Sequence, residues 1–132
     1  ADEGDVIPTG KETILVVDDE ELLVGVIKQI LERLGYRVAA ETNSLTALER
    51  FGKMPERFDL AITDMTMPNL TGIEFAMKLK SIRPDIPVIV CTGFSDQISQ
   101  EVVQELGINA LVMKPVLRAE LAKTVRRVLD SP

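Results

Sequence analysis

The sequence TILVVDDEE, residues 13–21, is a short aliphatic run that ends abruptly in acidic residues. The continuous apolar run at 13–17 predicts a β-strand that is covered on both faces of a sheet. From Leu23 to Leu34, apolar residues (Leu23, Val26, Ile27, Ile30, Leu31 and Leu34) recur at steps of three, four and seven. This spacing predicts an amphipathic helix, which Gly35 would end.

The same strand and helix unit recurs along the rest of the chain. Further strands are predicted at 36–42, 58–63, 87–91 and 110–113, and further helices at 44–53, 72–82, 96–106 and 117–129. Ser44 and Thr71 are the predicted N-caps of the helices that they precede or begin. Five strands alternating with five helices predict an α/β fold, a doubly wound parallel sheet with helices on both faces.

The length and composition of the chain predict one domain preceded by a short linker. A chain of 132 residues has the usual size of one domain. Residues 1–12 are acidic, contain two glycines and a proline, and show no hydrophobic period, so we expect a flexible linker. The domain is then expected at 13–132.

The composition excludes several classes of function. With 15 basic and 21 acidic residues and 4% aromatics, direct nucleic-acid binding is not expected. No apolar run is long enough to span a bilayer, so no membrane contact is expected. The one cysteine, Cys91, fits a reducing compartment, and we expect a cytoplasmic protein.

Polar residues stand where the predicted strands end. The first strand is followed by Asp18 and Asp19, the third by Asp64, the fourth by Thr92 and the fifth by Lys114. The carboxyl ends of parallel strands share one edge, where ligands of such sheets bind. Three carboxylates brought together repel each other unless a cation lies between them. Without histidine, and with cysteine confined to a strand, the donors favour Mg²⁺ (or Mn²⁺) over Zn²⁺.

This set of side chains is suited to phosphoryl transfer. An ionised carboxylate can attack phosphorus directly and form an aspartyl phosphate. A divalent cation and a lysine neutralise the charge on the phosphoryl oxygens, and a threonine hydroxyl can donate to one of them. No histidine base is needed for this reaction.

Four segments carry a resemblance to a known family: ILVVDDE at 14–20, DMTMPNLTG at 64–72, VIVCTG at 88–93 and LVMKP at 111–115. The chain resembles the receiver domain of bacterial two-component response regulators over about residues 12–130. The resemblance implies a flavodoxin-like (βα)5 fold with strand order 2-1-3-4-5. It also implies phosphorylation by a histidine kinase or a histidine phosphotransfer domain.

The resemblance assigns roles residue by residue. Asp64 is implied to be the phosphoacceptor and a metal ligand, with Asp19 as a direct ligand. Asp18 would hold a metal-bound water, and the backbone carbonyl of Thr66 would complete the metal site. Thr92 and Lys114 would contact the phosphoryl group.

Two further positions concern the structure around the site. The Lys114–Pro115 bond is implied to be cis. Leu111 departs from the family pattern, which places Tyr or Phe there, so the aromatic part of the usual switch is absent.

Several alternatives remain open at this point. The chain is similar to receivers attached to hybrid sensor histidine kinases, which is the expected context, with a free-standing regulator as the other. The function alternatives are a non-phosphorylated interaction module, an aspartyl-nucleophile phosphatase of the haloacid dehalogenase type and a flavodoxin. The sequence predicts neither the oligomeric state nor the output.

Overall fold

The computed structural model describes residues 6–93 and 100–131. Its strands all run parallel in the order β2-β1-β3-β4-β5, which confirms the predicted α/β fold and strand order. The strands are β1 Thr13–Val17, β2 Arg37–Glu41, β3 Leu60–Asp64, β4 Val88–Thr92 and β5 Ala110–Met113. The helices are α1 Glu21–Arg33, α2 Ser44–Lys53, α3 Gly72–Ile82, α4 Gln100–Glu105 and α5 Arg118–Asp130.

The boundaries differ from the predictions in places that matter for the site. Asp64 and Thr92 are the last residues of β3 and β4 rather than the residues after them. A 3-10 turn at Pro55–Arg57 separates α2 from β3. The predicted start of the fourth helix, residues 96–99, lies outside the described residues.

One predicted helix cap is wrong and another is confirmed. Asn43, not Ser44, caps α2: its Oδ1 accepts from the backbone N–H groups of Leu45 and Thr46 at 2.9 and 3.0 Å. Ser44 is already the first helical residue and is buried. Thr71 caps α3: its Oγ1 accepts from the Glu74 N–H, and the Thr71 N–H donates in return to the Glu74 carboxylate.

Two apolar layers cover the sheet. One layer is contributed by α1 and α5, and the other by α2, α3 and α4, which is the doubly wound arrangement. In α1 the buried residues are Val24, Ile27 and Leu31, whereas Val26, assigned to the apolar face by its spacing, is 48% exposed. The face that α1 turns to the sheet is centred on Ile27, and Val26 lies outside it.

The helices of the described ranges include none with the length and apolarity needed to cross a membrane.

Part of the segment predicted to be a linker contacts the domain. Ile7 packs against the layer of α1 and α5, and the Gly10 N–H donates to the carbonyl of Leu34 at 3.1 Å. Arg126 of α5 donates to both carboxylate oxygens of Glu12, at 3.1 and 2.6 Å. This bidentate ion pair joins the segment before β1 to the last helix, α5.

We expect Glu12→Gln to lower the free energy of unfolding at pH 7 by about 1 kcal/mol, because it removes this half-buried ion pair. The hydrogen bonds from Arg126 lower the pKa of Glu12 from 4.5 to about 2. Since the folded pKa is depressed, the stabilisation is present above pH 4.5 and is lost as the pH falls toward 2. Urea unfolding from pH 7 to pH 3 should therefore show a shrinking difference between wild type and variant. Glu49→Gln, at an exposed residue, is the control; a Glu12→Gln effect that is equally large at both pH values would contradict this account.

Candidate functional site

Three carboxylates meet at the carboxyl edge of the sheet. Asp64 ends β3, and Asp18 and Asp19 directly follow β1, the strand beside it. One oxygen from each of the three lies within 4.8 Å of the others. Asp18 is 1% and Asp64 5% exposed, whereas Asp19 lies open to solvent. The parallel pairing of β1 and β3 thus brings together acids that are 45 or more residues apart in sequence.

The carboxylate of Asp18 is buried with only one of its oxygens hydrogen-bonded. Oδ1 accepts from the Glu20 N–H at 2.9 Å, and the Asp18 N–H donates to the Glu41 carbonyl. Within the described residues Oδ2 has no hydrogen-bond partner, although it lies 3.7 Å from the Lys114 ammonium. Burial, reinforced by the negative charge of Asp64, raises the pKa of Asp18 to about 6.

Lys114 supplies the positive charge of the site. It follows β5, and its Nζ lies 2.5 Å from Asp64 Oδ1. Partial burial by itself lowers the pKa of Lys114, but the hydrogen bond to Asp64 and the charges of Asp18 and Asp64 raise it above the ordinary value. Lys114 is therefore protonated throughout the neutral range. The Lys114–Pro115 peptide bond that follows is cis.

The other predicted site residues lie at the same edge. Thr92 is 2% exposed at the end of β4, and its backbone carbonyl accepts from the Lys114 N–H at 2.7 Å. Thr66 is exposed in the loop between β3 and α3, two residues beyond Asp64. Cys91, the neighbour of Thr92, is buried, and burial raises the pKa of its thiol to about 12, so it is not a reactive thiol.

Gly72 is a site residue that the sequence reasoning missed. Its N–H donates to the Met65 carbonyl at 2.7 Å, which folds the loop after β3 back onto the strand end. A Cβ at this position would overlap the backbone carbonyl oxygen of Asp64. Only glycine therefore permits this close approach. The pair Thr71-Gly72 is visible in the sequence, but it indicates only the start of a helix.

The acidic group fits a hard divalent cation. Carboxylate oxygens are the ligands that Mg²⁺ prefers, and Oδ2 of Asp18 is a buried acceptor that has no hydrogen-bond partner among the described residues. Lys114 reaches Asp64 and Asp18 from β5, so it offsets only part of the charge of three acids. The site can hold a metal ion between Asp18, Asp19 and Asp64.

We expect Asp18→Asn to stabilise the metal-free protein by about 2 kcal/mol at pH 8, because it removes a buried charge. The folded pKa of about 6 exceeds the value of 3.8 for the unfolded chain. The stabilising effect of the protonated carboxyl is therefore complete below pH 3.8 and is lost as the pH rises through 6. Thermal and urea unfolding in the presence of a chelator should show a gain for the variant at pH 8 and little difference at pH 4. Asp85→Asn, at a side chain that is 82% exposed, is the control; an equal effect of Asp18→Asn at both pH values would contradict the burial argument.

The comparisons with known proteins agree with this geometry. The family model described as the response regulator receiver domain matches residues 14–126. The chain belongs to the response regulator receiver domain family. The matched range contains all of the site residues described above. Solved structures of receiver domains have the same fold as this chain.

Three relatives show how such domains occur. The chemotaxis protein CheY of Thermotoga maritima is 28% identical over 87% of this chain and 95% of its own length. The DNA-binding transcriptional regulator NtrC of Azospirillum brasilense is 34% identical over 90% of this chain but only 24% of its own length. A solved response regulator receiver domain protein of Clostridium thermocellum has a TM-score of 0.85 and 31% identity, covering 90% of this chain and 94% of its own. The receiver domain thus spans about a quarter of the NtrC relative and nearly all of the CheY relative.

The family assignment favours a signalling domain over a phosphatase or a flavodoxin. The receiver domain is a signalling domain of two-component systems. A haloacid dehalogenase phosphatase would carry its nucleophile on the first strand in an Asp-x-Asp pattern, whereas the positions after β1 here hold Asp18, Asp19 and Glu20. The family match and this placement together argue against the phosphatase.

Proposed function

We propose that this receiver domain accepts a phosphoryl group on Asp64 from a phosphohistidine of a histidine kinase or a histidine phosphotransfer domain. The observation that carries the proposal is the environment of Asp64. Its carboxylate is 5% exposed, lies 2.5 Å from the Lys114 ammonium and belongs to the acidic group with Asp18 and Asp19. Lys114 can thus pair with added negative charge on Asp64, and the acidic group can do so only by holding a divalent cation.

The transfer exchanges one phosphorus bond for another. A carboxylate oxygen of Asp64 attacks phosphorus, the P–N bond to the imidazole breaks, and the leaving imidazole takes its proton from water. Lys114 pairs with one phosphoryl oxygen, and the Thr92 hydroxyl donates to another. Bound Mg²⁺ or Mn²⁺ supplies charge neutralisation at the phosphoryl oxygens.

The residues that would hold this metal ion are the carboxylates of Asp19 and Asp64 and the backbone carbonyl of Thr66, and Asp18 would hold a metal-bound water. Asp18 contributes from a buried position and Asp19 from an exposed one, so the ion can enter from the side of Asp19. The domain itself supplies these groups, so phosphotransfer from a small phosphodonor and slow hydrolysis of the aspartyl phosphate need no further protein.

We place the domain in the cytoplasm, where ATP maintains the phosphohistidine of a kinase. The proposed context is a hybrid sensor histidine kinase. The similarity of the sequences IPTGKETILVVDDE at 7–20 and CTGFSD at 91–96 to receivers of such kinases supports this context. A free-standing regulator is the alternative context.

The test uses acetyl phosphate and intact-mass measurement. We expect one phosphoryl adduct per chain in Mg²⁺, no adduct in a chelator, and removal of the adduct by hydroxylamine, which cleaves acyl phosphates but not phosphoserine. A radiolabelled histidine phosphotransfer domain should pass its label to the receiver domain under the same conditions. No adduct in Mg²⁺, or an adduct that resists hydroxylamine, would overturn the proposal.

A further inference from the structure

The hydroxyl of Thr92 is bonded to a methionine sulfur. Thr92 Oγ1 donates to Met113 Sδ over 3.2 Å. The two residues are direct partners in the pairing of β4 and β5. β5 lies on the opposite side of β4 from β3, the strand that ends in Asp64. The hydroxyl is therefore directed away from the strand that carries the proposed phosphoacceptor.

The hydrogen bond from Thr92 to Met113 is weak enough for the hydroxyl to exchange the sulfur for a stronger acceptor. A thioether is a weak acceptor, whereas a phosphoryl oxygen is charged and is a strong one. Thr92 is 2% exposed, and a buried hydroxyl without a hydrogen-bond partner is unfavourable. The sulfur of Met113 therefore remains the partner of this hydroxyl as long as no stronger acceptor is present. Met113 is 46% exposed and can move without disturbing the core.

The neighbouring position on β5 offers no alternative acceptor. Leu111 lies on the same face of the strand as Met113, two residues earlier, and packs against the layer formed by α2, α3 and α4. Its side chain has no hydrogen-bonding group. On the described face of β5, the side-chain acceptor for Thr92 is therefore the sulfur of Met113.

We propose that Met113 is a positioning residue that holds the Thr92 hydroxyl in its unphosphorylated orientation. The hydroxyl leaves the sulfur when a phosphoryl oxygen on Asp64 becomes available. This inference rests on the proposed function, because it assumes that Thr92 donates to the phosphoryl group. Only the fraction of molecules in which the Thr92 hydroxyl has left the sulfur can donate to a phosphoryl group. The apparent affinity for the phosphoryl group is reduced in proportion to that fraction.

The test measures binding of beryllium fluoride, a phosphoryl mimic, in Mg²⁺. We expect Met113→Leu, which keeps the volume and removes the acceptor, to bind it about twofold to fivefold more tightly than wild type. We expect Met113→Gln, whose amide oxygen is a stronger acceptor, to bind it more weakly than wild type. Met54→Leu makes the same chemical change at an exposed methionine outside the site and should leave the affinity unchanged.

A double-mutant cycle separates positioning from a general structural effect. In the Thr92→Val background there is no hydroxyl to hold, so Met113→Leu should leave the affinity for beryllium fluoride unchanged. A gain that persists in this background would show that Met113 acts otherwise, and would overturn the inference.

The remaining outcomes distinguish the two proposals. If wild type binds beryllium fluoride and the Met113 variants match Met54→Leu, the inference about Met113 is wrong and the proposed function stands. If wild type in Mg²⁺ does not bind beryllium fluoride, both are wrong.

Discussion

Asp64→Asn is expected to abolish the phosphoryl adduct that acetyl phosphate and Mg²⁺ produce on the wild-type receiver domain. An amide is a poor nucleophile at phosphorus, and the other acids of the group hold different positions. Asp18 is buried with its pKa raised, and Asp19 is exposed and does not pair with Lys114. Intact-mass measurement over a time course would detect the loss, which should be complete.

The matched control for this experiment is Asp85→Asn. Asp85 lies before β4, at the opposite end of that strand from Thr92, so the variant should be phosphorylated as wild type is. Thermal unfolding of both variants would establish that they are folded. An undiminished adduct on a folded Asp64→Asn variant would show that another residue is the acceptor.

The second large effect is expected for metal binding. Asp19→Ala should weaken Mg²⁺ binding by about a hundredfold or more, because it removes a direct carboxylate ligand. Asp18→Ala should weaken it less, by about tenfold, if Asp18 acts through a bound water as proposed. Titration calorimetry with magnesium chloride and no phosphodonor measures both affinities directly.

The order of the two losses is the informative result. Asp85→Ala removes a carboxylate outside the site and should leave the affinity unchanged. Equal losses for Asp18→Ala and Asp19→Ala would contradict the distinct ligand roles. Unchanged affinity in both variants would show that the acidic group does not hold the ion.

Much of the fold could be predicted because its signals are local. Each buried strand is a short aliphatic run, and β1 and β5 begin and end at the predicted residues. The polar residues at the strand ends then indicated the edge where the site lies, since parallel pairing aligns those ends. Asp18, Asp64 and Lys114, which are far apart in sequence, are in contact for this reason.

The features that could not be predicted depend on side-chain direction and tertiary contact. Asn43 caps α2 because its backbone is extended, a property that the neighbouring Ser44 does not share. The Glu12 pair with Arg126 joins residues 114 positions apart, and no local pattern indicates it. Gly72 matters because α3 begins against the carbonyl of Asp64. The bond from Thr92 to Met113 depends on the register between β4 and β5, which no local pattern indicates.

Chemical trapping of the phosphorylated residue tests the central claim most directly. The receiver domain is phosphorylated with acetyl phosphate in Mg²⁺ and reduced with borohydride, which converts an aspartyl phosphate to homoserine. It is then digested, and the peptides are sequenced by mass spectrometry. The account predicts homoserine at position 64 and unmodified aspartate at positions 18 and 19. Homoserine at position 18 or 19 with aspartate intact at 64, or a phosphorylated residue that borohydride does not convert to homoserine, would contradict it.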